Sequence, residues 1–186
     1  MSPQFFGKHR GKVQNNKDPL KLGRIQVIVP SVLGEDHDSW AMPCVPYAGK
    51  GVGFFVLPPV GANIWVEFEA GDPDHPIWSG CYWGDGEVPA DPPEEKIRIF
   101  KTESFSIILD ESKGITLDVK SPAVKKPLKM VFDSSGIEIK DGTSTINMTD
   151  SKIVLKANEI EIKNNSFSIK VTSSKVSIND GALEVI

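Results

Sequence analysis

Apolar and polar residues alternate at period two through most of this 186-residue chain, and Gly, Pro, Asn or Asp interrupt the alternation at short intervals. A β-strand directs successive side chains to opposite faces, so this period indicates half-buried strands rather than helices. Hydrophobic residues make up 39% of the chain and charged residues 25%, which is typical of a folded soluble protein. We therefore predict an all-β protein.

The amino-acid composition of the sequence changes near residue 90. Eleven of the fifteen aromatic residues lie within residues 1–90, and twelve of the fourteen prolines lie at or before Pro93. Residues 85–96, between these two regions, consist largely of Gly, Pro and acidic residues, a composition typical of a segment that forms no packed element. We predict one domain over residues 1–84, a linker over 85–96 and a second domain over 97–186.

The first domain contains five or six candidate strands, the number found in a small closed barrel of the OB (oligonucleotide/oligosaccharide-binding) type. They are Gly11 to Gln14, Leu22 to Val29, Trp40 to Tyr47, Gly53 to Leu57, Ala62 to Glu69 and Ile77 to Trp83. Within the fifth, Ile64, Val66 and Phe68 share one face, which we expect to point into the core.

Several motifs of the first domain resemble those of one known family. They are residues 6–13 (FGKHRGKV), 16–19 (NKDP), 22–25 (LGRI), 43–49 (PCVPYAG), 58–61 (PPVG) and 71–80 (GDPDHPIWSG). Their order and spacing are similar to those in the OB domain of the phage baseplate spike family. This family includes baseplate assembly protein V of contractile tails and the VgrG spikes of type VI secretion. The resemblance covers about residues 5–89, and within it these motifs look structural rather than catalytic.

The second domain reads as eleven short strands separated by turns, and a form of repeat is visible in Ile137-Glu138-Ile139-Lys140 and Ile160-Glu161-Ile162-Lys163. Each strand offers only two or three apolar residues to one face, which is too little for a single narrow sheet to bury by itself. Three copies wound about one axis would bury these faces together. We predict a trimeric, intertwined triangular β-helix (β-prism), as the resemblance also implies. The earliest segments, up to Lys120, are expected to pair antiparallel.

No catalytic, cofactor-binding or metal-binding constellation is visible. Asp72, Asp74 and His75 are predicted to form a tight turn rather than a metal site. Cys44 and Cys81 are predicted to be buried free thiols. The formal net charge of −4 argues against nucleic acid as a partner. We therefore expect no enzymatic activity. The N-terminus resembles no secretory signal, so we expect synthesis in the cytoplasm.

The resemblance implies a structural role: a homotrimeric central spike in the baseplate of a phage tail or a phage-tail-like particle, which pierces the target cell envelope mechanically. A separate hub protein would hold the OB trimer, with Phe5 and Phe6 as candidate contacts. A tip protein of the Pro-Ala-Ala-Arg repeat (PAAR) kind would cap the other end. The candidate docking residues for this tip protein are Ala182, Leu183, Glu184, Val185 and Ile186.

Some relatives in the family insert a lysozyme domain before the prism or end in an iron-binding apex with two histidines. Here only the short linker stands at the first place and no histidine at the second, so neither activity is expected. The alternative interpretation is an OB module that binds single-stranded nucleic acid or glycans on exposed Trp and Tyr side chains.

Overall fold

The computed structural model describes residues 3–185 and divides the chain into two compact units, one ending at Val88 and the other beginning at Pro89. Both units consist mainly of β-strands, which confirms the all-β class. Residues 82–96, between the last strand of the first unit and the first strand of the second, form no helix or strand.

A closed barrel of five strands forms the body of the first unit, in the order β1-β2-β3-β7-β6. Its neighbouring strands are antiparallel except β3 and β7, which run parallel. This architecture confirms the OB prediction. The strands are β1 (His9–Asn15), β2 (Ile25–Ile28), β3 (Asp38–Pro43), β6 (Asn63–Phe68) and β7 (Pro76–Cys81), and a small separate hairpin consists of β4 (Ala48–Gly49) and β5 (Val52–Gly53).

The nine buried hydrophobic residues among the described residues form one cluster, in the interior of the barrel. Ile64, Val66 and Phe68 on β6 point into it as predicted, and Ile25 and Val27 on β2 meet them from another strand. Full burial of one such aliphatic side chain contributes roughly 1.5–3 kcal/mol to the stability of the folded state. Five strands therefore suffice to form a stable core once the sheet closes into a barrel.

Two predictions for the first unit are wrong: the extent of one strand, and the burial of Cys44 and Cys81. The predicted strand from Gly53 to Leu57 is limited to Val52–Gly53, because the barrel closes between β1 and β6 and leaves no edge for it to pair with. A short helix, α1 (Pro30–Leu33), begins with a proline at its first turn, a position where the missing N–H costs nothing. Cys44 and Cys81 are free thiols, but both are exposed rather than buried.

The second unit contains eleven strands, the number predicted, in two antiparallel sheets. The larger sheet consists of β8 (Ile97–Lys101), β9 (Phe105–Asp110), β10 (Gly114–Val119), β11 (Leu128–Asp133), β12 (Gly136–Asp141), β13 (Ser144–Met148) and β14 (Ile153–Lys156). The smaller sheet consists of β15 (Ile160–Asn164), β16 (Phe167–Val171), β17 (Val176–Ile178) and β18 (Leu183–Val185). Within each sheet every strand pairs with its neighbours in sequence, so the antiparallel pairing expected up to Lys120 continues through both sheets.

Equivalent turns recur at a 23-residue interval in this unit. The hydroxyl of Thr149 accepts hydrogen bonds from the backbone N–H groups of Ser151 and Lys152, and Thr172 does the same for Ser174 and Lys175. These local bonds stabilise the reversal of the chain between consecutive strands. The repeat seen in the sequence therefore corresponds to a repeated strand-and-turn unit.

Candidate interaction surfaces

The register of the larger sheet collects apolar side chains on one face, here called the apolar face. Its central row crosses all seven strands and contains no polar residue: Phe100, Ile107, Leu117, Met130, Ile139, Ile146 and Leu155. A second row crosses six strands: Leu109, Ile115, Phe132, Ile137, Met148 and Ile153. Side chains directly opposite each other on neighbouring strands are in contact range, so these rows form one continuous surface.

The apolar face is not covered within one chain. Ile146 in the central row is 45% exposed and Ile153 in the second row is 63% exposed. Among the described residues of the second unit, only Ser168 and Ser177 are buried, and both are polar. Soluble proteins rarely leave a continuous apolar surface of this extent in water, so it marks a place where another surface docks.

The smaller sheet has the same arrangement and includes two residues of the predicted tip-docking set. Leu183 lies in a row with Ile162, Ile169 and Ile178, and Val185 lies in a row with Ile160, Val171 and Val176. Both are well exposed. Ala182 precedes β18 and follows a single 3-10 turn. Ile186 and the side chain of Glu184 lie outside the described part of the structure.

The two predicted hub-contact residues have different surroundings. Phe5 donates a backbone hydrogen bond of 2.8 Å to the carbonyl of Gly71, and its ring packs 6.2 Å from the Phe68 ring, centroid to centroid. Phe6 is 68% exposed. Phe5 therefore fastens the N-terminal segment to the barrel, whereas Phe6 presents its ring to the surroundings.

An apolar groove of about 410 Å³ lies on the barrel beside the β4–β5 hairpin. Its walls include Leu22, Pro43, Val52, Phe55 and Trp78, and Phe55 is 75% exposed. Between Ser39 and Val66 the only charged residue is Lys50. The sequence motifs over residues 43–49 and 58–61 thus flank an uncharged surface, which sequence reasoning did not single out as an interaction site.

Asp18 and Arg24, from the motifs over residues 16–19 and 22–25, form a buried ion pair with a structural role. Asp18, only 3% exposed, accepts hydrogen bonds from the Arg24 guanidinium at 2.8 Å and from the backbone N–H groups of Leu20 and Leu22. These donors, Arg24 first, hold the pKa of the Asp18 carboxyl far below its ordinary value of 3.8. The pair closes the loop between β1 and β2. Asp18 and Arg24 lie six residues apart on either side of a turn, and no periodic pattern indicates that they meet.

The predicted turn over Asp72, Asp74 and His75 is confirmed. The Asp72 carboxylate accepts the backbone N–H of Asp74 at 3.0 Å and lies 3.2 Å from the His75 imidazole. The first of these bonds is the main reason why the pKa of Asp72 is lowered. In residues 3–185, no group of three His, Cys, Asp or Glu side chains is placed to hold a metal ion.

Two aromatic side chains on the outside of the barrel contact each other, whereas Trp83 and Tyr47 are 64% and 60% exposed. The rings of Trp65 and Tyr82 lie 4.7 Å apart, and the Arg10 guanidinium lies 5.0 Å from the Tyr82 ring centre. Stacking of a nucleobase or sugar on Trp65 or Tyr82 would have to displace these contacts. No helix in the described chain is long and apolar enough to cross a membrane.

A closed five-stranded barrel of this topology is an OB-fold domain. Residues 9–83 match the family described as the type VI secretion system/phage-baseplate injector OB domain. The first unit therefore has the OB domain of the VgrG-type baseplate and spike family, as the sequence motifs indicated.

Individual relatives are each similar to a part of the chain. Over 78 residues it is 37% identical to the type VI secretion system spike protein VgrG5 of Pseudomonas aeruginosa, a match that covers 39% of this chain and 10% of the relative. Over 74 residues it is 40% identical to VgrG4b of the same organism, covering 38% and 9%. The actin cross-linking toxin VgrG1 of Vibrio cholerae is 33% identical over 88 residues, covering 44% and 8%. The chain thus spans about a tenth of the length of these relatives.

Proposed function

We propose that this chain is the subunit of a homotrimeric central spike in a contractile injection apparatus. The observation that carries the proposal is the uncovered apolar face of the second unit, on a chain whose first unit is an injector OB domain. The names of the relatives VgrG5 and VgrG4b, both spike proteins, support the same role.

Three copies suit this surface for a geometric reason. The apolar face spans two residue rows of a narrow sheet, and three such sheets facing a common axis would form a triangular core with polar side chains outside. Pairing between copies would also satisfy the open edges that β8 and β14 leave in one chain. The result would be a rigid β-prism that transmits force.

The work of such a spike is mechanical rather than catalytic. A contracting sheath would drive the trimer through the target envelope, with a separate hub protein at the barrel end and a PAAR-type tip protein at the other. Phe6 is the better placed of the two candidate hub contacts, because Phe5 is held against the barrel. Leu183 and Val185 are exposed and available to a tip protein.

The mass of the native particle tests the proposal directly. Light scattering of the purified chain should give three times the chain mass of 20.3 kDa, or about 61 kDa. The variant Ile146→Lys places a charge in the central row and should abolish the trimer. The control Asn147→Lys alters the next residue of β13, on the opposite face, and should leave it intact. A wild-type monomer at micromolar concentration, or equal effects of the two variants, would contradict the proposal.

A further inference from the structure

On the face of the larger sheet opposite the apolar face, lysines are concentrated at one end of the strands. One cross-strand row at the end of the strands reads Lys101, Ser106, Asp118, Lys129, Lys140, Thr145 and Lys156. The row at the opposite end of the strands contains the acidic residues Asp110 and Asp133. Simple alternation of polar and apolar residues does not require this separation, since either sign of charge serves equally well on a solvated face.

The loop between β10 and β11 adds three more lysines at the same end of the strands: Lys120, Lys125 and Lys126. Lys126 extends over the neighbouring β12–β13 turn, where its Cδ atom lies 3.3 Å from the position that a Cβ on Gly142 would occupy. These three lysines and the four of the row form one surface, here called the lysine strip. All seven are exposed.

The lysine strip has one acidic neighbour in its own row, Asp118, which stands opposite Lys129 without forming an ion pair with it in the described chain. None of its seven ammonium groups is in an ion pair, although pairs such as Lys113–Asp110 and Lys170–Glu159 occur elsewhere in the same unit. Lys129 and Lys140 stand directly opposite each other on neighbouring strands, an arrangement that destabilises a sheet. A chain of net charge −4 thus concentrates unpaired positive charge at one place, which indicates an anionic ligand.

The chemistry of the strip favours simple phosphate groups over nucleobases. Its basic residues are all lysines, which bind phosphate as point charges, and it contains no arginine. Phe100 and Phe132 lie on the opposite, apolar face, so no ring of these strands is available for base stacking beside the lysines. Lys129 and Lys140 lie on adjacent strands, about 4.8 Å apart at the backbone, and the other lysines of the strip extend the charge across the sheet, which suits a surface of headgroups.

We propose that the lysine strip binds the phosphate headgroups of an anionic lipid bilayer. This inference rests on the proposed spike role, in which the polar faces of three copies would point outward and meet the envelope that the spike crosses. Each lysine close to an anionic membrane strengthens binding roughly fivefold, and the strip would occur three times in the particle.

Co-sedimentation of the full chain with vesicles tests the proposal. Vesicles of phosphatidylcholine containing phosphatidylglycerol should bind the protein, vesicles of phosphatidylcholine alone should not, and added salt should weaken the binding. The triple variant Lys129→Gln/Lys140→Gln/Lys156→Gln should bind on the order of a hundredfold more weakly, from three lysine contributions. The control Lys96→Gln/Lys113→Gln/Lys152→Gln changes the net charge equally at exposed positions outside the strip and should bind like wild type.

Four results would overturn the proposal. They are equal binding to both kinds of vesicle, equal losses in the two triple variants, displacement by an equal concentration of inorganic phosphate, and tighter lysine-dependent binding to a single-stranded oligonucleotide than to anionic vesicles. The native mass of each variant separates this inference from the spike role. A trimer that ignores anionic vesicles refutes only the lipid contact, whereas a monomer refutes the proposed function itself.

Discussion

The two units of this protein have the same alternation of apolar and polar residues, but the apolar side chains are buried in one unit and exposed in the other. In the barrel, alternate residues such as Ile64 and Val66 are fully buried because the sheet closes and each inward side chain meets another strand. In the second unit, equivalent residues such as Ile139 and Ile146 remain well exposed, because an open layer has nothing behind it. The comparison teaches that alternation specifies a face, while closure or a partner determines whether the face becomes a core.

The largest expected effect comes from making the same substitution in each unit. Ile64→Ala should lower the free energy of unfolding of the barrel by about 2–5 kcal/mol at any protein concentration, because the lost contacts are within one chain. The cost of Ile146→Ala should grow with protein concentration, because its missing contacts would come from other copies. Urea unfolding at several concentrations measures both. If the unfolding of both variants were independent of protein concentration, the apolar face of the second unit would not be buried by other copies.

The next largest effect is a loss of stability at acidic pH that is expected in the barrel because of Asp18. The folded state lowers the pKa of Asp18, so its contribution to stability is complete above the ordinary value of 3.8 and is lost as the pH falls below it. Barrel stability, followed by tryptophan fluorescence in urea, should therefore drop in this acidic range. Asp18→Asn should be less stable at neutral pH and should show a smaller acid-induced drop.

The exposed carboxyl of Asp36 provides the matched control for this measurement. Asp36→Asn should follow the wild-type pH profile, since it removes a similar charge from the same unit without breaking the Asp18–Arg24 pair. If the two variants had identical profiles, the buried pair would not be the source of the acid sensitivity.

A smaller effect is expected where the N-terminal segment meets the barrel. Gly71 has a φ of 79°, and a Cβ there would lie 3.0 Å from the Phe6 ring. Gly71→Ala should therefore cost more than the roughly 1–2 kcal/mol expected from the left-handed backbone alone. Gly86 has a φ of 71° and open space around it, so Gly86→Ala should show only the backbone cost. Equal shifts of the thermal midpoint in the two variants would show that the clash between the new Cβ and the Phe6 ring adds nothing to the cost.

The smallest effects belong to the repeated turns of the second unit. Thr149→Ala and Thr172→Ala each remove a hydroxyl that accepts two backbone N–H bonds, and each should cost about 0.5–1.5 kcal/mol. Hydrogen exchange at the adjacent strands should report similar losses for both. Clearly different values would mean that the two halves of the repeat are not equivalent in the assembled protein.

The strand pattern and the motifs could be predicted from the sequence, whereas contacts between distant residues could not. The eleven strands of the second unit and the inward face of β6 follow from local alternation, and the OB barrel follows from strand count and motifs. The strand expected from Gly53 to Leu57 failed because pairing needs a free neighbouring edge, which only closure of the barrel determines. The exposure of Cys44 and Cys81 likewise depends on where their strands end against the rest of the barrel.

The sequence by itself determined that this chain folds into strands with one apolar side and that its first part has the motifs of an injector OB domain. Only the tertiary structure decided which apolar sides are buried, that Asp18 meets Arg24, and that lysines from separate strands align in one row. The reason is physical: the side-chain period is a local property of the backbone, whereas burial, ion pairing and cross-strand register depend on which segments come together in space.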